Sequence, residues 1–265
     1  MPGSNPSSLL KPLEAVMREA GALARETSQR PFKHWTKGPD NSPVTEGDIA
    51  VNELLLVRLP QLAPGAGWVS EESEIAGALG SEYWVVDPID GTRGFVAGRP
   101  DWTISVALVA EGRPLLAALY APITDEMFLA SRGGGATWNG SRMNASGGAA
   151  LEGARLAGPK RYLDRFAQFA PTVQPQPRLN SLALRLARVA QGALDAAFSS
   201  GGSHDWDLAA ADLLVHEAGG MITDFTGRPL SYNQPHQVHG ALIAAGSARH
   251  DALIELVRDR RAEFA

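Results

Sequence analysis

The chain of 265 residues contains no cysteine. That absence excludes a disulfide scaffold, a zinc–thiolate site and an iron–sulfur cluster. No apolar run approaches the length of a membrane span; "TISVALVA" is strand-sized. The opening "MPGSNPSSLLKPLEAVMREA" lacks a basic stretch followed by an apolar one, so no secretory signal is expected. A basic surplus is missing as well: the formal charge is −5. Nucleic-acid binders carry a basic stripe, and none is visible. Internal repeats and low-complexity tracts are also absent. These absences lead to the expectation of a soluble cytoplasmic protein with no membrane partner and no direct nucleic-acid partner.

What is present is enough apolar material for a sizeable core, 44% of residues against 20% charged. Leu9, Leu13, Val16, Ala20 and Leu23 predict an amphipathic helix within residues 7–28, with Pro12 tolerated near its start. Ile49, Asn52, Leu55, Leu56 and Leu59 predict a second helix that stops at Pro60. "GWVS" and "WVV" read as strands, and "WTISVALVAEGRPLLAALYAP" as two strands joined at Glu111-Gly112. "EMFLASRGGGATWNG" repeats the hairpin pattern. A composition shift at "NASGGAALEG", residues 144–153, marks a boundary between an N-terminal α+β half, 1–145, and a C-terminal α/β half, 146–265. In the second half "LNSLALRLARVAQG" reads as a helix ending at Gly192. "DWDLAAADLLVHEAGG" reads as another, with Asp205 as N-cap and Gly219 closing it. "GMITDFTGRPLSY" predicts a hairpin, "GALIAAG" a strand, and Ser247 caps the last helix. The class expected is α/β or α+β.

Four acids each stand at the end of a regular element. Glu71 follows "GWVS", Asp87 and Asp90 follow "WVV" in "WVVDPIDGTRGF", and Asp207 lies in the first turn of a predicted helix. Two carboxylates three residues apart repel unless a cation or proton lies between them. Oxygen-only ligands suit Mg²⁺ or Mn²⁺, and the Ile89 carbonyl between the aspartates is a further donor. Alone, each feature has an ordinary reading: "DP" and "DG" make turns, and an acid at a helix start complements the helix dipole. Only the whole constellation points to a site. Gly91-Thr92 adds backbone N–H groups able to bind an anion. The Thr92 hydroxyl can pass a proton from water to a carboxylate, for which Asp48 in "SPVTEGD" is the candidate.

These residues resemble the inositol monophosphatase family of Mg²⁺-dependent, lithium-sensitive phosphatases. "VVDPIDGT", the preceding "SEES", "SPVTEGD" and the late "WDLAAADLLVHEAGG" stand in that family's order and spacing across nearly the whole chain. The resemblance implies a layered αβαβα sandwich with the site between its halves. It implies Glu71, Asp87, the Ile89 carbonyl, Asp90 and Asp207 as ligands for two or three Mg²⁺ ions, with Mn²⁺ able to substitute and Li⁺ inhibitory. Glu71, Thr92 and Asp48 are then catalytic, Gly91, Thr92 and Asp207 contact the phosphate, and Lys37 lies near the site. The reaction implied is in-line attack of water on a small phosphorylated metabolite by a homodimeric enzyme.

The substrate is less legible. Inositol-preferring relatives commonly carry a glutamate seven residues before the second-motif aspartate; this chain has Ser200 there, a substrate-contact candidate able to bond a hydroxyl. The strands from Trp102 to Gly140 look more like the bacterial 3′(2′),5′-bisphosphate nucleotidase branch, which acts on 3′-phosphoadenosine 5′-phosphate. His204 and Arg93 are candidate nucleotide contacts. Inositol monophosphatase stands second, histidinol phosphatase third, and a non-enzymatic regulatory protein last.

Overall fold

A strand that is apolar on both faces must be covered on both sides. In this computed structural model, which describes residues 6–38, 41–73, 79–170, 172–234 and 238–264, Thr103–Ala110 is such a strand. Ile104, Val106 and Leu108 enter one apolar cluster, while Ala107 and Val109 enter another on the opposite face. It lies third in a seven-stranded sheet whose spatial order follows the chain: Gly67–Ser70, Glu82–Asp90, Thr103–Ala110, Arg113–Ala121, Glu126–Ser131, Gly135–Trp138 and Ser141–Arg142. The first pair is parallel and the rest are antiparallel. Glu111 and Gly112, both at positive φ, make the tight two-residue turn that joins the third and fourth strands.

The helices Leu10–Ser28 and Glu46–Leu62 cover one face of this sheet through Leu13, Met17, Val51 and Leu55. The other face packs on Leu182–Ala190 and Asp205–Glu217, which form a middle layer. Beyond them lies a five-stranded sheet in the order Gln174–Pro175, Arg155–Ala157, Ala196–His204, Val238–Gly246 and Gly220–Asp224. Its outer face is closed by Lys160–Phe169 and Ser247–Asp259, where Phe166 stacks on Phe198 at 4.7 Å beside Ile243 and Leu253. The result is the five-layer αβαβα sandwich. Consecutive side chains divide between layers again in the second sheet: Leu242 and Ala244 face the middle helices, Ile243 and Ala245 the outer ones.

Four local expectations need correction. The second helix runs on to Leu62 with Pro60 inside its last turn. Asp205 is the first helical residue rather than the cap; the cap position is His204, and the Asp205 carboxylate accepts from His239 Nε2 at 2.7 Å. "GMITDFTGRPLSY" forms one strand, Gly220–Asp224, and an isolated bridge from Thr223 to Pro229 instead of a hairpin. Gly246 occupies the last long helix's cap position, and Ser247 Oγ donates to the Gly219 carbonyl.

Asp195 pins an end of the second sheet. Its Oδ2 accepts from the Arg155 backbone N–H at 2.8 Å and from Nε at 2.9 Å. Burial alone would raise its carboxyl; the bonds from Arg155 outweigh burial and draw it from 3.8 to about 2. A depressed carboxyl contributes stability that is complete above its unfolded value and disappears as pH falls through the folded one. The stability advantage of wild type over Asp195→Asn should therefore shrink as pH falls from 3.8 to about 2. Urea unfolding at a series of pH values measures this, and a constant difference across that window would refute it.

Candidate active site

The site forms where two chain segments far apart in sequence end side by side. The strand Glu82–Asp90 loses its regular register between Asp87 and Asp90. Gly91 then turns the chain at φ 94° into the short helix Thr92–Val96. A Cβ at Gly91 would lie 2.9 Å from the Ser181 backbone nitrogen, so glycine is required for both conformation and space. From the other half comes the first turn of Asp205–Glu217, where Asp207 reaches back to accept from the His204 N–H at 2.6 Å. Asp87, Asp90 and Asp207 each offer an oxygen within 4.8 Å of the others.

These carboxylates are in electrostatic conflict. Burial pushes Asp87 and Asp207 far above the ordinary carboxylate range, and the neighbouring acids push in the same direction. Asp90 is also raised by burial, but donors oppose the shift: Ser181 Oγ and the Ala183 N–H on Oδ2, the Leu182 N–H on Oδ1. Hard oxygen donors grouped this tightly, buried and mutually repelling, fit a divalent cation such as Mg²⁺.

Glu71 and Ile89 line the same cavity of about 260 Å³ as the three aspartates, together with Gly91 and Thr92. Lys37 Nζ lies 3.3 Å from Glu71 Oε1 and donates to the Glu71 carbonyl at 3.0 Å. Thr92 Oγ1 sits between two acceptors, the Ile89 carbonyl at 3.0 Å and Asp48 Oδ1 at 3.3 Å. Asp48 is fully buried, and its Oδ2 accepts from the Thr45 N–H at 2.8 Å, one arm of a capping box on Glu46–Leu62. It thus holds the helix start and faces Thr92 at once. Burial raises its carboxyl to about 7 against the hydrogen bonds from Thr45.

Ser200 stands apart. It follows the buried part of its strand, just before Gly201 and Gly202 at positive φ, and lines a neighbouring cavity rather than the aspartate pocket. Arg93 is on the aspartate pocket wall. His204 stacks on Trp206, ring centroids 4.5 Å apart, in a third cavity that also touches Glu71 and Asp207. Three contributors escaped the reading of the sequence. Ser181 was legible as a helix N-cap, being the serine just before the apolar run "LALRLARVA". Asn180, held by Asp101, and Arg178 complete the pocket wall and carry no local sequence signal.

Comparison with known proteins assigns the chain to a family. The profile of the inositol monophosphatase family matches residues 5–262. The Pseudomonas aeruginosa protein named Nus factor SuhB is 37% identical over 211 residues, 74% of this chain and 78% of that one. The inositol-1-monophosphatase of Mesorhizobium japonicum is 30% identical over 257 residues, covering 93% and 94%. Among solved structures, the Thermotoga maritima IMPase superposes with a TM-score of 0.83 at 28% identity, covering 95% of this chain and 97% of that one. The extragenic suppressor protein suhB of Bartonella henselae gives 0.84 at 29%, covering 95% and 98%. Across its length, then, the chain belongs to the inositol monophosphatase family, a family of metal-dependent phosphoric monoester hydrolases.

Proposed function

We propose that this chain is a Mg²⁺-dependent phosphatase that hydrolyses a small phosphate monoester by direct attack of water. The observation carrying the reading is the buried, mutually repelling group Asp87, Asp90 and Asp207. We assign these three, Glu71 and the Ile89 carbonyl as ligands for two or three ions, replaceable by Mn²⁺ and displaced in part by Li⁺. Bound Mg²⁺ supplies Lewis acidity toward phosphate oxygens and acidifies water. The chain's own groups do the rest. The N–H groups of Gly91 and Thr92 orient the phosphate. The Thr92 hydroxyl has one proton and donates to one acceptor at a time. Turned toward Asp48, it accepts the proton of the attacking water and passes its own to that carboxylate. A carboxyl near 7 is matched to this exchange at neutral pH.

For the substrate we put 3′-phosphoadenosine 5′-phosphate first and myo-inositol monophosphates second. The resemblance of the strands to the nucleotidase branch supports the first, as do Arg93 and Arg178 on the pocket wall and the stacked His204–Trp206 pair beside it. The name of the Mesorhizobium relative supports the second. Relatives named Nus factor support a further, regulatory role, against which the net charge of −5 stands as far as direct nucleic-acid contact is concerned. A homodimer belongs to the same reading, on family resemblance, and its mass in solution decides it.

Phosphate release with Mg²⁺ should show a higher kcat/KM for the nucleotide than for myo-inositol 1-phosphate; the reverse order would move the assignment to the inositol branch. Asp90 caps the helix Leu182–Ala190 through its three hydrogen bonds, so Asp90→Asn weakens the fold as well as the site. Asp87 accepts one backbone hydrogen bond, from Ile89, and gives the cleaner variant. Asp87→Asn should lose about 100-fold or more of Mg²⁺-dependent turnover. In EDTA its Tm should exceed wild type by ~2–4 °C, because one repelling charge is gone. Mg²⁺ should raise the wild-type Tm and leave that of the variant unchanged. Unchanged turnover would show that the aspartates merely make a turn.

The pH dependence has a definite sign. The carboxylate of Asp48 is the accepting form, so kcat/KM should rise as pH climbs through about 7. Asp48→Asn should lose most turnover together with that rise. A wild-type profile that is flat from about pH 6 to 8 would remove Asp48 from the proton path.

A further inference from the structure

Next to the aspartate pocket lies a second cavity of about 430 Å³, lined among others by Lys160, Gln176, Arg178, Arg185 and Ser200. Arg178 is on the walls of both cavities, so the two adjoin. Their charges are opposite. The lining of the first includes Glu71, Asp87, Asp90 and Asp207 against Arg93 and Arg178, an acidic surplus; that of the second includes Lys160, Arg178 and Arg185 and no acid.

Arg185 is the anomaly. It sits in the first turn of Leu182–Ala190, one turn beyond Ser181. Its Nε is shielded from water and has no hydrogen-bond partner among the described residues. Asp90 attracts it through space, and Arg178 repels it. A shielded guanidinium donor left unpaired is costly, and arginines placed this way normally hold an anion. A second feature points the same way. The helix Lys160–Phe169 begins at this cavity with no side chain capping it and no acid in its first turn. Its N-terminal end therefore adds positive potential to that of the arginines.

We propose that this cavity receives a second phosphate group of the substrate, held by Arg185 and Arg178 while the scissile phosphate lies among the aspartates. The substrate class is then a small molecule with two phosphoryl groups. This rests on the phosphatase reading of the aspartate site and adds a specificity site to it.

The test compares two substrates that share the scissile ribose 3′-phosphate ester and differ in the 5′-phosphate, 3′-phosphoadenosine 5′-phosphate and adenosine 3′-monophosphate, with the full-length protein and Mg²⁺. Wild type should favour the bisphosphate, and Arg185→Gln should reduce the ratio of the two kcat/KM values about tenfold, through KM. Arg185→Lys, which keeps the charge, should retain more of the ratio; Arg178→Gln, at an exposed position, gives a second reading should the half-buried Arg185 position tolerate no change. A purely structural effect would lower both substrates alike, and a ratio that does not move in any variant overturns the proposal. Calorimetric binding of the bisphosphate in EDTA separates this from the phosphatase reading. Weaker binding to Arg185→Gln with no turnover by wild type would retain the anion site and overturn the enzyme. Equal binding by both proteins would overturn the anion site. Inorganic phosphate bound through Arg185 with no preference between the two substrates would mark a free-anion site and overturn the substrate assignment.

Discussion

The constraint around which the structure is organised is the repulsion between buried carboxylates supplied by two separate segments. Asp87 and Asp90 arrive on a strand of the first sheet, and Asp207 on a helix of the middle layer. Nothing in hydrophobic packing favours this meeting, since burying like charges together raises their pKa values and costs stability. Such an arrangement persists only if the surrounding packing over-determines it and a cation resolves it in the working state. The five layers supply that packing. Apolar faces are buried against the strand Glu82–Asp90 from both sides, so its end cannot withdraw from the pocket.

The middle helix carries the constraint across the molecule. Asp205–Glu217 packs against both sheets, and its run Ala209, Ala210 and Ala211 is buried. Small side chains let its backbone come close to strands on two sides, which sets the position of its first turn and hence of Asp207. The same economy explains its weakly amphipathic sequence: a helix covered all round has no polar face to display. On the opposite side, Asp90 accepts from Ser181, Leu182 and Ala183 and so ties the other middle helix to the motif strand. One carboxylate thus serves both the site and the joint between layers.

Much of this was legible from local pattern. The strands stood out because apolar runs bounded by turn residues leave few alternatives, and Glu111-Gly112 as a turn follows from its residue types. The acids were legible because each ends an element. Where the reading went astray, tertiary contacts decided. Asp205 has the composition of a cap but turns to His239 on a neighbouring strand, and the backbone of the second sheet takes up residues expected to form a separate hairpin. Pro60 does not end the helix at its own position: it forfeits only its own bond to the Leu56 carbonyl, and the helix runs on to Leu62. Arg178 and Arg185 gave no signal at all. An arginine's role depends on what shares its cavity, and those neighbours come from Gly158 to Ser200 by folding alone.

The two adjoining cavities make sense of each other electrostatically. A pocket of carboxylates repels a phosphorylated ligand until cations fill it, and even then attracts it by only the surplus of positive charge. The guanidinium groups of Arg178 and Arg185, brought near Asp90 by the fold, supply attraction that does not depend on the ions, at the edge where Arg178 belongs to both walls. Asp90 takes its hydrogen bonds from Ser181 and two backbone N–H groups, and the Arg185 charge favours its ionised form only through space, so the Arg185 Nε is left without a partner. Its charge is held near the carboxylates while the residue lines the neighbouring cavity. That geometry leaves the acids available for cations and the arginines available for an anion, which is the division a substrate bridging the two cavities requires.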